Sequence, residues 1–442
     1  MTKFTHFQQI IFAGSLFLVT AGSRCDPSVT VSRSEDDVVA VEETTDTSAT
    51  DSTDTSTDTT DTTESATSSY SKGSASGSRI GSRQTFYQPG GTTRAVLISG
   101  DRVLLIGNGD RARTGNRCWT QNGCSEIYTQ STNTWASTGE MPFGAYLYGA
   151  TVLANGNVLI AGGYGSATAD KSSNQFSAST ATALYDTAAG TWASAGVLTA
   201  ARYGGEMIAL PSGGAMMCGG FDGSNVLLST CETWDGSSTW VSSTPVGATV
   251  LRSTPQFLQF TSELFMLSGY GASTNIYNST SQTWATVPAG NSLRSNSRLA
   301  VVEDGSHHVI TAGQPTLSAG NVAKYDGALF TTKSNMATAM QLPGLISDST
   351  GTKAYAFGGE ENLASNGCNT NGGGSKVTQS YNIGGDSWAN LPLAAMTYTR
   401  CDPSVVRFSN GKIAVIGGRA VLQGYQTEEL IEIFNPTTEL FE

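Results

Sequence analysis

Residues suited to ligand binding are concentrated in glycine-rich segments that separate short apolar runs. Arginine beside an aromatic ring suits a carboxylate or an acidic sugar, because a guanidinium donates paired hydrogen bonds and its charge is attracted to a ring face. Adjacent glutamates add hydrogen-bond acceptors in another such segment. The alternative interpretation is that all of these are solvated loop residues without a ligand. The predicted binding residues are Arg111, Arg113, Arg117, Trp119, Glu360, Glu361, Arg419 and Tyr425.

Catalytic and metal-binding groups are sparse. The chain has three histidines, of which His6 lies in a predicted leader and His307 and His308 are adjacent. Adjacent residues of a strand point to opposite faces, so His307 and His308 would not bind one metal ion together. The body has no histidine elsewhere, so it cannot supply histidine ligands from separate strands. No serine–histidine–aspartate arrangement has a suitable histidine either. We therefore predict no catalytic residue, no metal and no cofactor, and the sequence favours a binding protein over an enzyme.

The composition predicts a turn-rich β protein. Of 442 residues, 51 are glycine and only 14% are charged, which argues against long surface helices. The net charge of -12 arises mostly between residues 26 and 72, where 12 acidic and 2 basic residues lie. The rest of the chain is nearly neutral, so binding to the phosphates of a nucleic acid has no electrostatic support.

The first 82 residues predict export and a spacer. Lys3 precedes the apolar run Ile10–Val19, which is too short to span a bilayer, so residues 1–25 are predicted to be a signal peptide. Cys25 offers a lipid-attachment site, although an arginine precedes it where such signals have a small residue. Residues 26–82 are acidic and rich in threonine and serine, which predicts a disordered tether. The expected location is extracellular, cell-surface or periplasmic, with a lipid anchor as the alternative to soluble secretion.

The body of the chain, from residue 83 to residue 442, is repetitive. Two apolar runs precede each pair of aromatic residues, and the second run ends in glycine, as in NVLIAGG at 157–163 and KIAVIGG at 412–418. Each repeat therefore predicts four short strands separated by turns. The aromatic pairs are Tyr128 and Trp135, Tyr185 and Trp192, Trp234 and Trp240, Tyr277 and Trp284, Tyr325 and Phe330, Tyr381 and Trp388, and Phe434 and Phe441.

This pattern resembles the kelch repeat, a unit of about 50 residues that forms one blade of a propeller. The resemblance implies an all-β, seven-bladed kelch-type β-propeller of four-stranded blades over residues 83–442, similar to the central domain of galactose-oxidase-like proteins. Those enzymes hold copper with histidines from separate regions, which this body does not supply. An exported carbohydrate-active enzyme, sialic-acid-epimerase-like or hydrolytic, is the alternative to a binding protein. A structural component of the cell envelope is a second alternative.

The cysteines fit an oxidising compartment. Cys218 ends the second predicted strand of its repeat and Cys231 begins the third, so a disulfide between neighbouring strands is expected. The alternative is that the body holds buried free thiols. Four further cysteines are placed for two more bridges, which leaves Cys25 unpaired. The additional predicted pairs are Cys118 with Cys124 and Cys368 with Cys401.

Arginine recurs where the first strand of a repeat begins, which raises the possibility of a carboxylate-binding array. Recurrence at one position of a repeat favours a structural role at a turn instead. The residues concerned are Arg94, Arg202, Arg252, Arg298 and Arg400.

The segments between the second and third predicted strands differ in length. They are long in repeats one, two and six and intermediate in repeat seven, and these four repeats are neighbours in a closed ring. Long loops on a rigid β scaffold commonly carry binding sites. We therefore expect a monomeric, surface-tethered binding or adhesion module that recognises a protein or a glycan through these loops. Membrane contact is expected only through an N-terminal lipid.

Overall fold

The computed structural model describes only part of the chain, in ranges that all fall within the compact unit Thr50–Glu442. The predicted signal peptide, Cys25 and nearly all of the predicted tether lie outside the described residues. The described ranges are 69–71, 94–106, 125–139, 141–166, 177–243, 253–259, 261–270, 274–287, 298–303, 307–312, 322–325, 330–361, 374–418 and 431–442.

The described strands form seven antiparallel sheets that follow one another along the chain. Sheet 1 contains β1 (Ser69–Ser71), β2 (Arg94–Ser99), β3 (Arg102–Ile106), β4 (Ser125–Thr129) and β5 (Thr134–Ser137). Sheet 2 contains β6 (Gly144–Tyr146), β7 (Gly149–Val152), β8 (Val158–Ala161), β9 (Tyr164–Ser166), β10 (Ser177–Asp186) and β11 (Thr191–Arg202). Sheet 3 contains β12 (Glu206–Ala209), β13 (Ala215–Cys218), β14 (Cys231–Trp234) and β15 (Trp240–Ser243).

The other four sheets have four strands each. Sheet 4 contains β16 (Ser253–Gln259), β17 (Leu264–Tyr270), β18 (Asn275–Asn278) and β19 (Thr283–Thr286), and sheet 5 contains β20 (Arg298–Glu303), β21 (His307–Ala312), β22 (Val322–Tyr325) and β23 (Phe330–Lys333). Sheet 6 contains β24 (Gly344–Ser347), β25 (Lys353–Phe357), β26 (Thr378–Asn382) and β27 (Ser387–Asn390), and sheet 7 contains β28 (Ser404–Arg407), β29 (Ile413–Ile416), β30 (Ile431–Asn435) and β31 (Leu440–Phe441).

The sheets are arranged as the blades of a β-propeller. The strands that begin each repeat, β2, β7, β12, β16, β20, β24 and β28, contact one another in this order, and β28 contacts β2. These strands therefore surround the axis, and the last strand of each repeat lies toward the perimeter. In the described residues the one helical element is the 3-10 turn Pro392–Ala394. No helix there has the length and apolarity needed to cross a membrane.

Two sheets depart from the predicted four strands. Sheet 1 has a fifth strand because β1, which precedes the predicted start of the body at residue 83, pairs with the outer strand β5. Sheet 2 has six strands because β10 and β11, of 10 and 12 residues, extend beyond the usual ladder. The short strands β6 and β9 then pair beside the start of β10. The four predicted strands are thus present in every sheet, and sheets 1 and 2 have further strands that were not predicted.

The predicted aromatic columns pair directly across the last two strands of each sheet. Tyr128 lies opposite Trp135 with ring centroids 5.1 Å apart, and the six other predicted pairs are in the same register. Tyr128 and Trp135 also contact a neighbouring sheet, because their cluster includes Val406 and Ile433. These aromatics are therefore part of the core that joins one sheet to the next.

Candidate functional site

Strand direction alternates within each sheet, so the connections between the second and third strands of every sheet lie on one face, together with the connections from one sheet to the next. We call this the upper face, and the opposite one, which carries the tight turns, the lower face. The connections of sheets 6, 7, 1 and 2 are the longest, and these four sheets are consecutive in the ring. In order from sheet 1, the second-to-third connections are 107–124, 162–176, 219–230, 271–274, 313–321, 358–377 and 417–430.

Two of the predicted binding residues lie among the described residues. Glu360 is buried, with 1% of its surface exposed, whereas Glu361 is exposed and accepts a hydrogen bond from the Ser375 hydroxyl. The Ser375 N–H donates to the Gly359 carbonyl at 2.9 Å, which fixes this hydroxyl beside the end of β25. Of the two, Glu361 is therefore the carboxylate that reaches solvent. The other predicted residues lie outside the described ranges: Arg111, Arg113, Arg117, Trp119, Arg419 and Tyr425.

A backbone arrangement recurs at the upper face of sheets 2, 3, 6 and 7. In sheets 2, 3 and 6 the residue directly after the Gly-Gly pair is paired with the chain just before the inner strand of the same sheet. That chain then passes through a residue with positive φ, which is Leu147, Gly204, Leu342 and Asp402 in sheets 2, 3, 6 and 7, at 50° to 69°. We call the residues after the Gly-Gly pairs the rim positions. They are Tyr164, Phe221 and Glu360.

The rim of sheets 2 and 3 is aromatic. The rings of Tyr164 and Tyr203 meet edge to face at 5.0 Å, and those of Tyr203 and Phe221 stack at 5.4 Å. Tyr203 is 2% exposed and donates its hydroxyl to Asn225 Oδ1 at 2.5 Å, while Tyr164 and Phe221 are half-buried. The buried Tyr203 ring thus packs against the two half-buried rings of Tyr164 and Phe221.

The rim of sheet 6 is polar. Gln341 and Glu360 occupy the positions held by Tyr203 and Phe221 in sheet 3, and their backbones pair in the same way. Both side chains are buried. Sequence reasoning found Glu360 but missed Tyr164, Tyr203 and Phe221. The sequence does contain a pattern that points to Tyr164 and Phe221. The Gly-Gly pair recurs, whereas the residue directly after it differs in type from repeat to repeat.

A buried ion pair supports the upper face where the last strand of sheet 2 meets sheet 3. Arg202 and Glu232 are both 0% exposed, and Arg202 Nη2 donates to Glu232 Oε1 at 2.7 Å. Glu232 also accepts the N–H groups of Thr199 at 2.5 Å and Ala200 at 3.1 Å, which anchors the chain entering sheet 3. Burial lowers the pKa of the Arg202 guanidinium, and the facing Glu232 carboxylate opposes that shift.

Sheet 7 repeats this ion pair. Arg400 Nη2 donates to Glu432 Oε1 at 2.9 Å, and Arg400 Nη1 donates to the Gly417 carbonyl at 2.6 Å. Glu432 Oε2 accepts the Thr397 N–H at 2.7 Å, which anchors the chain that enters sheet 7. The prediction that arginines at this repeat position are structural is confirmed for Arg202 and Arg400, because their guanidiniums hold the sheet connections instead of facing a ligand.

The disulfide predicted between neighbouring strands is present. Cys218 and Cys231 lie directly opposite each other on β13 and β14 and are bonded, with 4.0 Å between their Cα atoms. Cys401 is also disulfide-bonded, as predicted for that residue. Its predicted partner Cys368, and the predicted pair Cys118 and Cys124, lie outside the described residues.

Metal binding has no support in the described ranges, where no three histidine, cysteine, aspartate or glutamate residues are grouped to hold an ion. Comparison with known proteins adds no assignment, since no family model matches the chain and no curated protein matches its sequence.

Proposed function

We propose that this protein is an exported, surface-tethered binding module, built as a seven-bladed kelch-type propeller, that recognises a protein or a glycan with its upper face. The seven sheets and the contacts between successive inner strands support the blade count. The Gly-Gly ends of the second strands and the opposed aromatic pairs support the kelch resemblance.

One observation carries the binding proposal. The four longest connections belong to consecutive sheets and leave their strands at the same face, where the described rim positions differ in side chain on a shared backbone. A constant scaffold with variable side chains and long loops is the arrangement by which β proteins acquire ligand specificity. The predicted binding residues belong to three of these four connections, those of sheets 1, 6 and 7.

Export is supported by two independent features. The apolar run Ile10–Val19 after Lys3 has the length of the apolar core of a signal peptide. The Cys218–Cys231 bridge is of a kind that forms and persists in oxidising compartments. An acidic tether between a leader and a propeller would hold the propeller away from the surface to which the chain is attached.

The proposal is tested with the secreted chain on an array of neutral and acidic oligosaccharides. Specific binding should fall at least tenfold when Arg111, Arg113 and Arg117 become alanine, because the array ligand loses its charge-assisted hydrogen bonds. The control is Lys353→Ala with Lys412→Ala, which removes two cations, against three in the arginine variant, from the lower-face ends of sheets 6 and 7.

Two outcomes would decide against this function. Equal losses in the arginine and lysine variants would show that net charge, and not the upper face, governs binding. Conversion of an array glycan to product would establish the carbohydrate-active enzyme in place of the binding module. An array without any specific signal would rule out glycans and leave a protein as the proposed partner.

A further inference from the structure

The turns between the third and fourth strands share a side-chain arrangement. In each of five sheets, an aspartate or asparagine opens the turn and its Oδ1 accepts the backbone N–H of a residue two or three positions later. Such turns hold the side-chain oxygen inward against the backbone. All of them lie on the lower face. The residues are Asp186, Asp235, Asn278, Asn382 and Asn435.

One of these turns also carries the acceptor sequence for N-glycosylation. Asn278 is followed by Ser279 and Thr280, and no other asparagine in the 442 residues begins Asn-x-Ser/Thr without proline at x. Asn435 is also followed by a threonine two positions later, Thr437, but Pro436 between them prevents this segment from being an acceptor. Asn382 is followed by isoleucine and glycine, so it lacks the hydroxyl.

The geometry of the sheet 4 turn leaves the amide nitrogen of Asn278 available. Asn278 Oδ1 accepts the N–H groups of Thr280 and Ser281, both at 2.9 Å, and among the described residues none accepts a hydrogen bond from Asn278 Nδ2. Thr280 and Ser281 are exposed. In the sheet 7 turn, by contrast, Asn435 Nδ2 donates to Glu442 Oε1 at 2.7 Å.

We propose that Asn278 is an N-glycosylation site when the chain passes through a secretory pathway that performs this modification. The donor would be an oligosaccharide attached to a lipid diphosphate. The bond from Asn278 Nδ2 to C1 of the sugar forms, the bond from C1 to the phosphate oxygen breaks, and Nδ2 loses a proton as the lipid diphosphate leaves. The inference rests on the export that the proposed function includes.

The position of this turn makes the modification compatible with ligand binding. The turn joins β18 to β19 on the lower face, whereas the long connections and the rim lie on the upper face. Sheet 4 also has the shortest second-to-third connection, 271–274. A glycan at Asn278 would therefore cover the lower face near the perimeter without obstructing the predicted binding loops.

The test expresses the full chain in cultured cells that attach N-glycans, once with its own leader and once with a heterologous secretory leader. Mass is measured on cell-associated and secreted protein, before and after an amidase that removes N-glycans. We expect one amidase-sensitive mass shift. Asn278→Gln and Thr280→Ala should each abolish it, whereas Ser279→Ala should keep it, because Asn-x-Thr remains intact.

Each result has a defined meaning. Protein made with the heterologous leader that shows no amidase-sensitive shift would overturn the Asn278 proposal, as would a shift that persists in Asn278→Gln. A shift with the heterologous leader alone would leave Asn278 as the acceptor and contradict export by the chain's own leader. Because mass is also measured on the cell-associated protein, the test remains valid for a variant that folds poorly and is retained inside the cell.

Discussion

The buried Glu232 carboxylate, paired with Arg202, fixes the position of the chain that leads into sheet 3. Both groups are removed from water, and the carboxylate is satisfied by the guanidinium and by two backbone N–H groups. Removal of one partner of a buried pair leaves an uncompensated charge, which is far more costly than loss of an exposed pair.

We therefore predict that Arg202→Met lowers the free energy of unfolding by about 3–5 kcal/mol. Lys412→Met is the control, because the Lys412–Glu442 pair is part-exposed and such pairs contribute about 0.2–1 kcal/mol. Urea unfolding of both variants and the parent measures the difference. Equal losses in the two variants would contradict the structural role assigned to Arg202.

At the scale of the strand, Gly220, the second glycine after β13, is required for two separate reasons. Gly220 has φ of +85°, and a Cβ built on it would lie 2.4 Å from the Tyr203 carbonyl oxygen and 2.7 Å from the Gly205 nitrogen. Both obstacles are backbone atoms, which do not move aside without disturbing the start of β12. Gly213, in the turn before β13, has φ of +89° but no atom within 4 Å of such a Cβ.

Alanine variants of these two glycines distinguish the free-energy cost of the backbone conformation from the cost of a steric clash. Gly213→Ala should destabilise the protein by about 1–2 kcal/mol, the cost of a left-handed backbone for alanine. Gly220→Ala should lose more, because the clash adds to the same conformational cost. Thermal unfolding followed by circular dichroism compares them, and a smaller loss at Gly220 would show that the rim backbone adjusts freely.

The strands were predictable from the sequence where side chains alternate and turns carry glycine. The apolar runs and the Tyr–Trp spacing locate the four repeat strands of each sheet, as the directly opposed pair Tyr185 and Trp192 shows. The added strands β1, β6 and β9 were not predicted, because they pair through backbone groups and have no apolar pattern. The burial of Glu360 was also missed, since it depends on packing that residue type alone does not indicate.

At the scale of the whole molecule, the ring must close between sheet 1 and sheet 7, which have no strand in common. Sheets 1 and 7 draw their four repeat strands from separate segments of chain. They meet through a mixed core that includes Tyr128, Val406 and Ile433. The Ser409 N–H donates to the Gly100 carbonyl at 2.7 Å across the same junction. Closure therefore depends on side-chain packing between sheets, in which the tyrosine column takes part.

The same column makes the ring sensitive to alkali. Burial raises the pKa of Tyr128 to about 12, and it also raises the pKa of Tyr185 and Tyr277. An unfolded tyrosine ionises near pH 10, so above that value the unfolded chain binds fewer protons than the native one. The stability from Tyr128 is therefore complete below about pH 10 and declines as pH rises toward 12. The raised pKa values of Tyr185 and Tyr277 act in the same direction.

Tyr128→Phe should weaken this decline, and phenylalanine suits the column because Phe434 occupies the equivalent place in sheet 7. At neutral pH the variant should lose about 1 kcal/mol, since Tyr128 donates a 3.0 Å hydrogen bond to Asn133. Between pH 10 and 11.5 its melting temperature should fall less steeply than that of the parent, because the variant has one fewer buried phenol to ionise. Scanning calorimetry across pH 8–11.5 gives both slopes. Parallel slopes would mean that Tyr128 already reaches solvent in the native ring, and that the junction between sheets 1 and 7 opens before the rest of the propeller unfolds.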